Sequence, residues 1–216
     1  MSIEPPSQSD RPGPPPAGID VAHADLAELL VRRSYLEAER EEDWFVLTSG
    51  KRSPTYFDCQ VTTAYARAMP LIGRAFLDEF RRQGVVPDAV GGLTRGADPV
   101  AQAIAYTSLL FPPVVQLFSV RKARKEHGMR RFIEGCAPPG SRVAVVDDVV
   151  TSGKSVLQAI AACREEGLEL SQVVVLVDRE EGGMARLRDA AGKAPVSAIF
   201  KRTQLEALRE RLRKGV

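Results

Sequence analysis

The run Val143 to Val146 ends abruptly in two aspartates, Asp147 and Asp148, and no other junction in this chain restricts its fold as tightly. Four consecutive β-favouring or small apolar residues with no polar alternation describe a strand covered on both faces. Parallel sheets with helices packed on each side supply that environment. A companion run, QVVVLVD (172–178), has the same character, and DAVGG (88–92) and VVQLFSV (114–120) are further strands. Helical patterns lie between them. The spacing predicts a helix over 69–83 with Leu71, Ile72, Phe76 and Phe80 on one face and Gly84 as its stop, another starting at Asp98-Pro99, and a third over 154–167 stopped by Gly167. Strand and helix in alternation give an α/β fold, a doubly wound parallel sheet flanked by helices.

The remaining elements frame that core. Residues 1–18 hold six of the fifteen prolines, which neither a helix interior nor a central strand tolerates, so this segment reads as a disordered tail. A helix follows from Asp20 as N-cap, with Val21, Leu26, Leu29, Leu30 and Val31 as its apolar stripe. FVLTSGKRSPTYFD (45–58) reads as a hairpin-like strand pair. The end of the chain reads as a strand, VSAIF (196–200), then a helix opened by a Thr203-x-x-Glu206 capping box. One domain over 19–216 is expected, its core at about 66–200.

Composition excludes several functions. With 30 basic and 28 acidic residues the formal charge is +2, so the whole chain is no polycation. No apolar run approaches the roughly 18 residues of a membrane span, and the start MSIEPPSQSD lacks a secretory signal, so a cytoplasmic protein with no membrane partner is expected. Cys59, Cys136 and Cys163 are too widely spaced for a metal cluster and read as small buried hydrophobes. His23 and His127 cannot make a three-histidine zinc site.

The acidic pair is followed at once by Val149, Val150 and the turn Thr151-Ser152-Gly153-Lys154-Ser155, which opens a helix. Backbone N–H groups at a helix start bind anions, hydroxyls add hydrogen bonds, and Gly153 permits close approach. Carboxylates there would repel a phosphate but accept from sugar hydroxyls, so a sugar phosphate satisfies both halves. Gly-Lys-Ser is not a Walker A loop, because Asp148 stands where that motif needs glycine. A merely solvated strand-end turn is the weaker reading of two acids directly after four apolar residues.

DDVVTSGKS after a hydrophobic strand resembles the phosphoribosyl pyrophosphate (PRPP) signature of type I phosphoribosyltransferases. The resemblance implies that Asp147 and Asp148 hold the ribose hydroxyls, that Thr151 to Ser155 hold the 5-phosphate with Val149 and Val150 also against PRPP, and that there is a small N-terminal hood, about 19–65 plus the C-terminal segment.

A second segment carries local charge that the average conceals. From Arg121 to Arg131, six basic side chains (Arg121, Lys122, Arg124, Lys125, Arg130, Arg131) meet one acid, Glu126, a net +5. Such runs are often solvated faces or nucleic-acid patches. This one contains His127-Gly128 and lacks stacking aromatics, which suits a cationic cover for a departing pyrophosphate better. RKARKEHG with Ile133-Glu134-Gly135 resembles the mobile loop of the orotate phosphoribosyltransferase family, in which the lysine and histidine close over the partner subunit's site. That resemblance implies a homodimer with shared active sites and catalytic roles for Lys125 and His127.

The likeness extends over most of 20–200. Ser49-Gly50, Ser53-Pro54 and Tyr56-Phe57 match the family's orotate-side element, with Thr48 where lysine is common. Thr94, Arg95 and Gly96 fall at a pyrophosphate loop that can present backbone N–H groups. Arg179 matches the arginine that pairs with the orotate carboxylate, and orotate is expected against Thr151, Arg179, Tyr56 and Phe57. Taken singly, Arg179 is equally a strand-end surface charge, and Tyr56 and Phe57 equally core aromatics; jointly, at strand carboxyl ends, they favour a site. The implied reaction is orotate plus PRPP giving orotidine 5′-monophosphate and pyrophosphate, with Mg²⁺ held mainly by substrate oxygens and water and no dedicated protein metal site. The rivals are a phosphoribosyltransferase for another base, or a PRPP-sensing regulator that binds nucleic acid through the basic loop and C-terminal helix. Interspersed Glu206 and Glu210 make that helix an ordinary solvated face, and no nucleic-acid partner is expected.

Overall fold

A computed structural model describes residues 18–46, 52–123 and 132–215. The apolar runs form one six-stranded sheet: β5 (Ala89–Gly91), β6 (Gln116–Val120), β7 (Ile133–Gly135), β8 (Arg142–Val150), β9 (Glu169–Asp178) and β10 (Val196–Lys201), in spatial order β10-β9-β8-β5-β6-β7. Every neighbouring pair is parallel except β6 and β7. The antiparallel edge is a departure from the all-parallel expectation. Here the chain returns beside the strand it has just left, which needs no crossover helix.

Alternate residues of the central strands feed two separate cores, as the pleat requires. Ala144, Val146, Val174 and Leu176 pack towards α1 (Ala24–Ser34), α3 (Met69–Arg82), α4 (Ala97–Ser108) and α7 (Arg202–Arg213). Val143, Val145, Val173 and Val175 pack towards α5 (Lys154–Glu165) and α6 (Gly183–Ala191). All eight are fully buried. Burial on both faces explains why these strands show no polar alternation.

Above the sheet, α1 leads into β1 (Tyr35–Glu37), which pairs antiparallel with β4 (Thr55–Phe57), while β2 (Phe45–Val46) pairs with β3 (Arg52–Ser53). The hairpin expected in 45–58 is therefore β2 with β3, and Tyr56-Phe57 belong to a different pairing. A short helix, α2 (Gln60–Thr63), leads from this element to the core. Both β1 and the edge strand β7 are three residues long, too short to show a period.

Several expected helix starts need correction. Asp20 does cap, its carboxylate accepting from Ala22 N–H at 2.9 Å, but it caps a separate tight turn, Val21–His23, ahead of α1. Val21 is 75% exposed, so the buried stripe is Leu26, Leu30 and Val31. Asp98 lies inside α4, and its carboxylate accepts instead from the Ser119 hydroxyl at 2.7 Å, tying α4 to β6. Thr203 does not open α7, because β10 runs straight into Lys201, leaving Thr203 within the first turn. Lys201 N–H donates to Gln204 Oε1 at 2.7 Å, and Thr203 N–H donates to the Glu180 carboxylate at 2.9 Å. Of the cysteines, Cys59 and Cys163 are buried as expected, whereas Cys136 is exposed. No described helix is long and apolar enough to cross a membrane.

The α3–α4 contact is close because of one glycine. A Cβ on Gly73 would lie 2.1 Å from Thr107 Oγ1 and 2.4 Å from the Ala103 carbonyl oxygen. Backbone cannot yield there without separating the helices. Gly73→Ala is expected to lower stability by about 1–3 kcal/mol despite alanine's better helix propensity, read from urea unfolding midpoints; an unchanged or higher midpoint would show that the helices part freely.

Candidate active site

The carboxyl end of β8 places Asp147 and Asp148 inside the protein, each only 5% exposed. Backbone donors support them: Asp148 N–H donates to Asp147 Oδ1 at 3.1 Å and Val149 N–H to Asp148 Oδ1 at 2.8 Å. Burial, reinforced by the charge of Asp148, pushes the Asp147 carboxyl well above its usual range. Burial also raises Asp148, against the opposing pull of the Val149 N–H. The pair is thus held at a position where full ionisation is unfavourable until something compensates it.

Gly96 lies directly over this pair. A Cβ there would sit 2.7 Å from Oδ1 of both aspartates, so glycine is what lets the 94–96 loop close on them. The peptide between Thr94 and Arg95 is cis, and Arg95 is exposed. The Thr94 N–H was expected to face a ligand. It instead donates to the Val120 carbonyl at 2.9 Å, anchoring the loop to β6 and leaving its hydroxyl for any contact.

Beyond the acids the chain turns around a cavity of about 80 Å³ lined by Asp147 and by Val149 to Val156. Gly153 takes φ +79°, a conformation open to glycine, and its carbonyl accepts the first α5 hydrogen bond from Leu157 N–H at 2.9 Å. α5 starts at Lys154, whose N–H donates to the Ser152 hydroxyl at 3.4 Å, and helix starts are where backbone donors collect; Ser152, Lys154 and Ser155 are exposed around the cavity mouth. Two residues on α6, neither singled out from the sequence, brace the turn. Arg186 Nε donates to the Ser152 carbonyl at 2.8 Å, and a Cβ on Gly183 would lie 2.5 Å from the Thr151 carbonyl oxygen. The Gly182-Gly183 pair was the available signal.

A second cavity, about 170 Å³, opens where β9 meets the hood. Arg179 lines it, with its guanidinium on Glu181 at 3.1 Å and its backbone N–H on the Val150 carbonyl at 3.0 Å, one hydrogen bond from the turn that follows β8. Phe57 lines it too. Tyr56 does not: neighbours on a strand point to opposite faces, and Tyr56 stacks outside on Phe45 with ring centroids 5.5 Å apart. Thr151 lines the smaller cavity beyond β8 and is absent from this lining. Tyr35, Thr55, Arg202 and Glu206 also line it, beside Ser53. They were not anticipated, since Tyr35 stands in a three-residue strand and Arg202 and Glu206 resemble any surface ion pair, here 3.8 Å apart.

Arg121 and Lys122 sit at the entry to the basic segment, where Arg121 pairs with Glu134 at 3.3 Å. Both flanks of that segment are tied to α5: Gln158 Nε2 donates to the Lys122 carbonyl at 3.1 Å, and Phe132 N–H donates to Glu166 Oε1 at 3.0 Å. Lys125 and His127 lie outside the described residues, as do Thr48, Ser49 and Gly50. Among the described residues no group of three or more His, Cys, Asp or Glu could by itself hold a metal ion.

Residues 62–193 match the family model described as the phosphoribosyl transferase domain. The orotate phosphoribosyltransferase of Aquifex aeolicus (strain VF5) is 46% identical over 180 residues, which are 83% of this chain and 95% of that protein. This chain belongs to the orotate phosphoribosyltransferase family. Among solved structures, the orotate phosphoribosyltransferase of Mycobacterium tuberculosis H37Rv in complex with Fe(III) dicitrate superposes with a TM-score of 0.74 at 35% identity, covering 85% of this chain and 98% of that one. The same enzyme in complex with PRPP gives a TM-score of 0.70 at 34% identity, covering 86% and 99%.

The raised carboxyls in this family member make a stability prediction. A carboxyl held above its unfolded value binds its proton more tightly in the folded state. The stabilisation is therefore fully present below the ordinary range near about pH 4 and is lost as pH rises through the raised folded value. Asp147→Asn, which cannot ionise, should gain thermal stability over wild type at neutral pH and converge with it in acid. A melting curve in which the variant is less stable than wild type at neutral pH would contradict the burial of the acid pair.

Proposed function

We propose that the protein joins orotate to the ribosyl 5-phosphate of PRPP, releasing pyrophosphate and forming orotidine 5′-monophosphate, a step of pyrimidine-nucleotide synthesis. The observation that carries this reading is the hydrogen bond from Arg179 N–H to the Val150 carbonyl, through which the arginine-lined cavity adjoins the phosphate turn. A ribose lying over Asp147 and Asp148 then has its 5-phosphate on Val149 to Ser155 and its anomeric carbon towards the base. Arg179 offers bidentate pairing to the carboxylate that distinguishes orotate from neutral bases; a purine would leave it without a partner.

Displacement breaks the bond from the anomeric carbon to pyrophosphate oxygen and forms one to a ring nitrogen of orotate. Positive charge builds on the ribose ring and negative charge on the leaving group, so catalysis is mainly positional and electrostatic. The buried carboxylates accept from the ribose hydroxyls and face the developing cation. Thr94, Arg95 and Gly96, with Arg121, Lys122, Lys125 and His127, stabilise pyrophosphate; Lys125 and His127 are supplied from the second subunit of a homodimer. Two hard carboxylates whose ionisation is unfavourable suit a Mg²⁺ that arrives on the substrate, with Asp147 and Asp148 as its protein neighbours. When bound it would supply charge neutralisation on pyrophosphate and ribose oxygens. The protein would work as a phosphoribosyltransferase domain over 19–216, residues 1–18 forming a proline-rich extension, in the cytoplasm.

Incubation of the protein with PRPP, Mg²⁺ and one of orotate, uracil, hypoxanthine or adenine separates the readings by pyrophosphate release. Release with orotate alone is expected. Release only with a purine would assign another base, and none with any base would favour a PRPP-binding regulator.

A further inference from the structure

The cavity lined by Arg179 also contains a side chain whose polar end has nothing to bond. The Tyr35 ring is clamped, with the Phe57 ring edge-on at a centroid distance of 5.0 Å and the Arg209 guanidinium 4.5 Å from its centre. Arg209 and Arg213 are in turn both paired with the Glu37 carboxylate, two residues along β1. Ring position is therefore fixed from β4 and α7 together. Yet the Tyr35 hydroxyl oxygen is buried and has no hydrogen-bond partner among the described residues.

Ser53, Arg179 and Arg202 on this wall are engaged. The Ser53 hydroxyl donates to the Thr55 carbonyl at 2.8 Å and accepts from Thr55 N–H at 3.1 Å. Arg179 is on Glu181 and Arg202 on Glu206. Buried hydroxyls without partners are unfavourable and rare, and one beside a binding cavity has the ligand as its natural partner. The charged groups that act on this phenol are Glu206, Arg209, Arg202 and Arg179. Three of them, Glu206, Arg202 and Arg179, line the same cavity as Tyr35, which also borders a second cavity with Glu37, Arg209 and Arg213.

We infer that Tyr35 reads the pyrimidine, its hydroxyl donating a hydrogen bond to a ring carbonyl oxygen of the base whose carboxylate Arg179 holds. The inference rests on the function proposed above and adds a specificity residue to it. Burial raises the phenol to about 12, so it remains a donor throughout the neutral range. The side chain makes no claim on the phosphate turn, so its contribution falls on the base alone.

Tyr35→Phe keeps the ring, its contact with Phe57 and its place under Arg209 while removing the hydroxyl. Steady-state kinetics and calorimetric titration of orotate should show KM and Kd for orotate raised about tenfold, with kcat and the KM for PRPP within about twofold of wild type. Unchanged orotate KM and Kd would remove Tyr35 from the recognition of the base. Parallel weakening of orotate and PRPP would also overturn the inference, since it would mark a structural effect. Wild-type protein that fails to bind or turn over orotate would instead strike the proposed function, and this inference with it.

Discussion

Two neighbouring carboxylates are driven into the protein by the strand that carries them, and the site is arranged around the discomfort of that placement. Val143 to Val146 must be buried on both faces, so β8 runs through the centre of the sheet and delivers Asp147 and Asp148 under cover at its carboxyl end. Among the described residues, the backbone N–H groups of Asp148 and Val149 donate to the pair and soften the burial. Everything nearby is shaped to bring compensating groups to them: Gly96 admits the 94–96 loop to within contact of both, and Gly153 turns the chain so that a helix start faces outward beside them. In the function proposed above, such a site suits a polyhydroxylated, anionic substrate, whose sugar hydroxyls would donate to the acids while helix-end donors would take a phosphate.

α5 links the parts. Its first turn is the one proposed to take the 5-phosphate, Gln158 on its surface holds the Lys122 carbonyl, and Glu166 at its end holds Phe132 N–H. The phosphate turn and both flanks of the basic segment therefore share one rigid strut. On the other side, Arg179 joins the phosphate turn to the base cavity through Val150, and β1, β4 and α7 close that cavity from above. The acid pair, the turn after β8 and the Arg179 cavity thus form three walls, each attached to β8 or its neighbour.

Much of this was legible in the sequence because burial and phosphate binding leave strong local signatures. Uninterrupted Val/Leu runs announced the sheet, Gly84 and Gly167 marked helix ends, and Asp147 to Ser155 combined strand, acids and anion turn in one stretch. What escaped depends on contacts between distant segments. Tyr35 and Phe57 meet only because β1 pairs with β4, and three-residue strands carry no period to reveal it. Tyr56 was paired with Phe57 by adjacency, whereas strand geometry sends it to the opposite face. Asp98 and Thr203 have the right chemistry for caps, but tertiary partners, Ser119 and Glu180, claimed their side chains or backbone. The braces on the turn after β8, Gly183 and Arg186, come from a later helix, and the Gly182-Gly183 pair was the sole local sign of them.

The central claim is that the buried acid pair holds the ribose of PRPP. Calorimetric titration of PRPP with Mg²⁺ into wild-type protein and into the Asp147→Asn, Asp148→Asn double variant tests it most directly. The variant retains the size of both side chains and removes their charge. The account predicts that PRPP affinity falls by about a hundredfold or more, in keeping with the loss of two charge-assisted contacts. Affinity equal to wild type in a folded double variant would contradict it.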